Sequence, residues 1–127
     1  MGVAMDAGPC ADPLVWQPDA IRRIDAIRDR ALKALSPATK TRFDGLVGDG
    51  GALFGVLARI ADPSGISGTG DVAFVVGCID GAVCLAWPKC GGIEAFASVA
   101  DALECHGHGG QTWILWSDGT TSGRGGA

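Results

Sequence analysis

The chain has 127 residues, of which 47% are hydrophobic and 19% charged, and its formal net charge is −4. This length predicts one domain with a core of its own, and the longest apolar run, residues 72–79, is far too short to span a membrane. Residues 1–8 have neither a basic flank nor an apolar stretch, so we expect no secretory signal.

Three helices are predicted in the first half of the chain. Residues 1–15 are interrupted by glycine, alanine and proline, and we expect them to form a flexible tail. A first helix is predicted from Pro18, because proline is favoured at the first helical position, and it ends before Pro37. Pro37 then opens a second helix that ends at residue 47. After a glycine-rich break, apolar residues at helical spacing predict a third helix over residues 52–61.

Residues 71–87 predict a β-hairpin with its turn at Asp80-Gly81, a dipeptide favoured in two-residue hairpin loops. A loop of two residues would place Phe74 opposite Trp87. Neither face of this hairpin is polar. We therefore expect both faces to be covered, either by helices of the same chain or by another subunit.

The remaining elements are a helix over residues 93–105 and a strand over residues 112–116. Residues 117–127 are predicted to be a turn and a polar C-terminal tail. The sequence thus predicts an α+β fold in which three N-terminal helices are followed by a β-β-α-β unit. We expect this unit to form a small, mainly antiparallel sheet covered by helices, within a single domain over residues 16–116.

The five cysteines are odd in number and form no Cys-x-x-Cys pair. In the predicted hairpin, Cys78 and Cys84 lie on opposite faces and cannot form a disulfide with each other. Free thiols and a cytoplasmic location are therefore expected. The chain is rich in glycine and lacks tyrosine. This composition is typical of a GC-rich genome and hints at a bacterium or a phage.

Basic residues are concentrated in residues 20–42, which carry a net charge of +5, against −9 for the rest of the chain. This segment is either a solvated helix face paired with nearby acidic groups or a docking surface for an acidic partner. A third alternative is a nucleic-acid-binding module that uses Arg22, Arg23, Arg30, Lys33, Lys40 and Arg42. The negative charge of the whole domain makes nucleic acid an unfavourable partner.

Cys90 is the best candidate for a reactive side chain, because it follows Lys89 and precedes a predicted helix, where a thiol can become nucleophilic. A nucleophile also needs a base. His106 and His108 follow the other end of the predicted helix, roughly 20 Å away. We therefore expect no catalytic residue, and a thiol enzyme or redox protein that uses Cys90 remains an alternative.

The same distance argues against a zinc site. Cys90, Cys105, His106 and His108 are all ligand types, but the predicted helix separates Cys90 from the others. Three ligands are one fewer than a structural zinc site needs. We expect neither a metal nor another cofactor.

The candidate partner-binding residues are four aromatic and four basic side chains: Phe74, Trp87, Trp113, Trp116, Arg22, Arg23, Arg30 and Lys33. Tryptophan and arginine are enriched at binding hot spots. The sequence thus predicts a small cytoplasmic factor of inhibitor, immunity, anti-defence or adaptor type. We expect it to bind a protein partner or a second copy of itself without catalysis, and to have no membrane association.

Overall fold

The computed structural model describes residues 13–48, 51–60 and 69–124, with the side chains of residues 13–19, 51–52 and 108 excepted. The described chain forms three α-helices and a six-stranded antiparallel sheet of order β4-β3-β2-β1-β5-β6. The elements in chain order are α1 (Pro13–Ala34), α2 (Pro37–Val47), β1 (Gly51–Arg59), β2 (Gly70–Cys78), β3 (Val83–Ala86), β4 (Ile93–Phe96), α3 (Val99–His106), β5 (Thr112–Trp116) and β6 (Thr121–Ser122).

The predicted class, α+β, is right, but the predicted arrangement of three N-terminal helices before a β-β-α-β unit is wrong. Residues 52–61 are not a helix, because Gly51–Arg59 forms β1, which pairs with both β2 and β5. Residues 55–59 of this strand are buried. A strand covered on both faces has a continuous apolar sequence, which its periodicity cannot distinguish from a buried helix.

The helix predicted over residues 93–105 is also wrong in its first half. Ile93–Phe96 forms the edge strand β4, and the helix α3 begins only at Val99. Ser98 caps this helix, and its side-chain oxygen accepts a hydrogen bond from the Asp101 N–H at 3.1 Å. The chain therefore turns back after β4 and brings the end of α3 towards that strand.

The first two helices are close to the prediction. The described part of α1 begins at Pro13, five residues before the predicted start, so the end of the predicted tail is helical and residues 1–12 lie outside the described residues. The bounds of α2 agree with those predicted. Ser36 caps α2 by accepting from the Thr39 N–H at 3.2 Å, and Pro37 occupies the first turn.

The β2–β3 hairpin forms where it is predicted, but its register is shifted by one residue. Phe74 pairs with Ala86 instead of Trp87. The loop has three residues, Ile79 to Gly81, because the Cys78 N–H donates to the Ala82 carbonyl at 2.8 Å. Gly81 is the last loop residue and has a φ of 95°, as expected for a three-residue hairpin loop.

This shift exchanges the two faces of β3, since neighbouring strand residues point in opposite directions. Phe74 and Val76 share the helix-covered face with Cys84 and Ala86. Trp87 lies on the opposite face with Val75 and Leu85. Both faces of the hairpin are buried within this one chain.

The sheet therefore separates two apolar layers. On one side, α1 and α2 pack their buried residues on the sheet: Ala20, Ile24, Ile27, Ala31, Leu35 and Phe43. On the other side lies the second layer, which contains the indole of Trp116, and Val99 and Leu103 of α3 pack against it. No helix within the described ranges combines the length and apolar character needed to cross a membrane.

Candidate functional site

A cleft of about 420 Å³ opens at the edge of the sheet, beside the connection between β3 and β4. Strand β3 leads into it, β4 leaves it, and the last turn of α3 closes one side. Its walls carry an unusual mixture of an indole, a thiol, a carboxylate and an imidazole. The side chains that form it are Trp87, Lys89, Cys90, Ile93, Glu94 and His106.

The loop that carries Cys90 is fixed by two backbone hydrogen bonds and by contact with α1. The Trp87 N–H donates to the Gly92 carbonyl at 2.9 Å, and the Gly91 N–H donates to the Trp87 carbonyl at 2.8 Å. Gly91 has a φ of 71°, and a Cβ there would lie 2.6 Å from the Ala34 carbonyl oxygen. Only glycine fits this position, and the close approach to α1 holds Cys90 at the cleft.

Glu94 connects the polar groups of the cleft. Its Oε1 accepts a hydrogen bond from the Trp87 Nε1–H at 2.8 Å and also lies 2.8 Å from His106 Nε2. The imidazole is held between two rings, because its centroid is 5.0 Å from that of Trp87 and 5.8 Å from that of Phe96. These contacts fix the orientation of both the carboxylate and the imidazole.

Cys105 completes a cluster of three potential metal ligands. One ligand atom from each of Glu94, Cys105 and His106 can be chosen so that all three lie within 4.8 Å of one another. The prediction that a helix of roughly 20 Å separates Cys90 from His106 is wrong. Both side chains line the same cleft.

This cluster was missed at the sequence level because residues 93–105 are not one helix. The signal that reveals the break is Ser98 followed by Asp101, a helix-start pattern in the middle of the predicted helix. With the helix starting at residue 99, Glu94 belongs to a separate strand and can meet the end of α3. The side chain of His108 lies outside the described part of the structure.

The aromatic residues predicted to bind a partner are mostly in the core. Phe74, Trp87 and Trp116 are buried. Trp113 is half-buried, with the Arg124 guanidinium carbon 5.3 Å from its ring centroid. These side chains stabilise the fold, and their role in partner binding remains a prediction that burial makes less favourable.

The basic residues of α1 are partly neutralised by the sheet. Arg23 makes two hydrogen bonds to the Asp71 carboxylate, at 3.1 and 2.6 Å, and Arg30 Nη2 donates to the Asp71 carbonyl at 3.4 Å. Arg22 and Lys33 are exposed. A role of these residues in partner or nucleic-acid binding also remains a prediction.

On α2, Lys40 Nζ lies 3.0 Å from Asp44 Oδ2, and the Arg42 side chain is exposed. The pairing with Asp44 reduces the net positive charge that α2 presents. The two helices therefore do not present all seven cations of residues 20–42 as one uncompensated surface.

A second, apolar groove of about 320 Å³ lies between the end of α2 and the β2–β3 loop. It is lined by Leu46, Val47, Cys78, Ile79, Asp80 and Ala82. Ile79 is 78% exposed and Leu46 is 49% exposed, and the groove brings these two aliphatic side chains together. We call these residues the α2–hairpin groove.

The register shift also changes the relationship between two cysteines. Cys78 and Cys84 do not lie on opposite faces, because the pairing of Val76 with Cys84 and of Cys78 with Ala82 puts both cysteines on the same face. Burial, and then the neighbouring Cys78, raise the pKa of the Cys84 thiol from 9.0 to about 11. Both cysteines are free.

The fold and the cleft define a small α+β protein with a mixed carboxylate, thiol and imidazole cluster at one sheet edge. The chain belongs to the Acb5 phage protein family, which matches residues 53–118, just over half of its length. This match includes β1 from residue 53, the whole of β2 to β5, α3 and all the cleft residues, while α1 and α2 lie outside it. No curated protein and no solved structure was found to match the chain.

Proposed function

We propose that this phage protein is an anti-defence type factor that acts in the cytoplasm of the infected bacterium by binding a host protein, without catalysis. Membership of a phage protein family supports its origin. The observation that carries the proposal is the presence of two exposed aliphatic side chains, Leu46 and Ile79, on the same groove.

Two separate elements present these side chains. Leu46 lies in the last turn of α2, and Ile79 lies in the loop between β2 and β3. The loop is closed by hydrogen bonds from the Gly81 N–H to the Cys78 carbonyl at 3.0 Å and from the Ala82 N–H to Asp80 Oδ1 at 3.0 Å. An apolar side chain on such a constrained loop loses little conformational freedom on binding, which favours affinity.

Charge supports a partner with a basic surface around its binding region. Outside residues 20–42 the chain carries a net charge of −9, and Asp80 lies on the α2–hairpin groove itself. Opposite charge at the rim of an interface accelerates association and disfavours wrong partners. The groove would then supply the apolar contacts at the centre of that interface.

The test compares lysine substitutions at three exposed aliphatic positions, two on the groove and one away from it. Ile79→Lys and Leu46→Lys place a charge on the groove, whereas Ile60→Lys is the matched control. Ile60 is 66% exposed and follows β1, whose end pairs with Gly70 at the opposite end of β2 from the hairpin loop. The gene for each variant is placed in a phage from which the native gene has been deleted. Growth of this phage is then measured on a host strain that restricts it.

We expect Ile79→Lys and Leu46→Lys to lose both phage growth and co-purification of one stoichiometric host protein. Ile60→Lys should retain both. If the groove variants rescue growth as well as the wild type, the proposed function is wrong. Light scattering after size exclusion tests a second copy as the occupant, because a dimer that Ile79→Lys converts to a monomer would assign the groove to self-association instead.

A second candidate function, thiol chemistry at Cys90, is favoured by one observation. Cys90 and His106 line the same cleft, so a base is available in the same subunit. The rate of alkylation of Cys90 between pH 5 and 9 tests it, with Cys90→Ser as the control for the other thiols. A rate equal to that of a free thiol, unchanged in His106→Gln, would contradict this candidate.

A further inference from the structure

The cluster of Glu94, Cys105 and His106 contains three different types of metal ligand on two elements that meet at the cleft. Glu94 comes from β4, and the two others occupy the last turn of α3. The chosen ligand atoms lie within 4.8 Å of one another. Ligand atoms around a tetrahedral zinc ion are about 3.3–3.8 Å apart, given bond lengths of about 2.0–2.3 Å. Small side-chain rotations are therefore enough to bring all three onto one ion.

We propose that Glu94, Cys105 and His106 bind one divalent transition-metal ion, with Zn²⁺ as the best-suited metal. The choice follows from the donor set. A thiolate and an imidazole are poor ligands for Mg²⁺ and Ca²⁺, which prefer oxygen, whereas zinc accepts sulfur, nitrogen and oxygen together.

The surroundings of the cluster hold two of the three donors in place before any ion arrives. The Trp87 Nε1–H donates to Glu94 Oε1, and the ring of His106 is held between Trp87 and Phe96. Groups that orient a metal ligand in this way are the usual support of metal sites. The Gly107 N–H donates to the Leu103 carbonyl at 2.7 Å and fixes the helix end that carries Cys105.

Binding changes protonation but requires no redox step. Cys105 binds as a thiolate, and its proton passes to water. His106 binds through the lone pair of one ring nitrogen, and Glu94 binds through one carboxylate oxygen. Three protein ligands leave one position of a tetrahedral ion open. Because two of the three ligands, Glu94 and His106, line the cleft, water or a ligand in the cleft can reach the ion.

The experiment titrates the metal-free, reduced protein with Co²⁺, which replaces zinc in such sites and gives an absorption band in the near ultraviolet when bound to a thiolate. We expect one ion per chain and this cobalt–thiolate band. Competition with Zn²⁺ should abolish the band. Addition of Zn²⁺ should also raise the midpoint of thermal unfolding, because the ion binds the folded state.

Cys105→Ser is the decisive variant, and Cys90→Ser is its matched control. Both residues are exposed cysteines, so neither change should disturb folding, which circular dichroism verifies. We expect Cys105→Ser to lose the thiolate band and to weaken zinc binding by more than about 100-fold, the upper end of the cost of losing a supporting group. Cys90→Ser should keep both.

Three outcomes would overturn the proposal. They are the absence of saturable Co²⁺ binding, a thiolate band that persists in Cys105→Ser, and a band that disappears in Cys90→Ser instead. Glu94→Gln gives a further check, because its amide oxygen is a weaker ligand and should reduce the affinity without removing the thiolate band. The metal site does not depend on the α2–hairpin groove, so a failure of either proposal leaves the other unaffected.

Discussion

The indole of Trp116 lies directly on Gly55, one strand away in the sheet. A Cβ on Gly55 would lie 2.9 Å from Trp116 Cε3 and 3.0 Å from the backbone oxygen of Leu115. Gly77, on the next strand, lies under the same ring, with Cη2 3.2 Å from the position of its Cβ. The two glycines form a flat surface for the indole, and the Trp116 Nε1–H donates to Ser122 Oγ at 2.8 Å.

Gly55→Ala is therefore expected to destabilise the protein by about 1–3 kcal/mol, the usual cost of overpacking a core. Gly45→Ala is the matched control. Gly45 lies in α2 with no atom within 4 Å of its Cβ position, so the same change should stabilise by about 0.5–1 kcal/mol. Urea unfolding measures both free energies, and equal effects of the two substitutions would contradict the packing of Trp116 on Gly55.

The stability of the protein should decrease between pH 9 and pH 11 because of Cys84. The folded state raises the pKa of this thiol to about 11, from a value of 9.0 for an unperturbed cysteine. Between these values, the folded protein holds a proton that the unfolded chain has lost. The contribution of the Cys84 thiol to the free energy of unfolding is therefore complete below pH 9. It decreases as the pH rises towards 11, by at most about 1.4 kcal/mol per pH unit.

Cys84→Ala should remove this part of the alkaline destabilisation, and Cys90→Ala, at an exposed site, should not. The measurement is the free energy of unfolding by urea at several pH values under reducing conditions. A parallel pH dependence in the wild type and in Cys84→Ala would contradict the assignment.

Loss of the Ser98 cap should affect both stability and the metal site. Ser98→Ala leaves the Asp101 N–H without its side-chain acceptor, which costs about 1 kcal/mol of stability. Because α3 carries Cys105 and His106, fraying of its first turn should also weaken cobalt binding. Ser36→Ala removes the equivalent cap of α2, so it should cost a similar free energy of unfolding and leave cobalt binding unchanged.

Glu94→Ala should destabilise the protein by about 1 kcal/mol, since it removes the acceptor of the part-buried Trp87 Nε1–H. Glu94→Gln keeps an oxygen at this position and should cost less. The free energy of unfolding and the tryptophan emission wavelength report the change. Equal stability of Glu94→Ala and the wild type would contradict the role of this hydrogen bond.

Much of the local structure could be predicted because the signals were local. Ser36-Pro37 marks the start of α2 and specifies its bounds, and Thr112–Trp116 forms the predicted strand. The strand β1 could not be recognised, because its helical spacing of apolar residues reflects burial on both sides of a central strand. That burial depends on strands far away in sequence.

The candidate site could not be predicted from the sequence for two separate reasons. The Ser98 cap was not recognised as the start of a helix, so Glu94 was predicted on the same helix as Cys105. The hairpin loop was predicted with two residues, so Trp87 was placed on the wrong face. Each error concerns one short connection. The missed helix start moves Glu94 to the far end of a helix, and the wrong loop length moves Trp87 to the other side of the sheet.

The extra residue in the β2–β3 loop has a consequence for how such a protein can change. A slip of β3 by one residue, with no residue deleted, would shorten the loop to Asp80-Gly81 and turn Trp87 towards α1 and α2. Glu94 would then lose its indole partner although no residue of the cleft had been replaced. Deleting one of the three loop residues would instead leave Cys78 opposite Ala82 and keep Trp87 in place. The cleft can therefore accept a shorter hairpin tip, but not a slipped one.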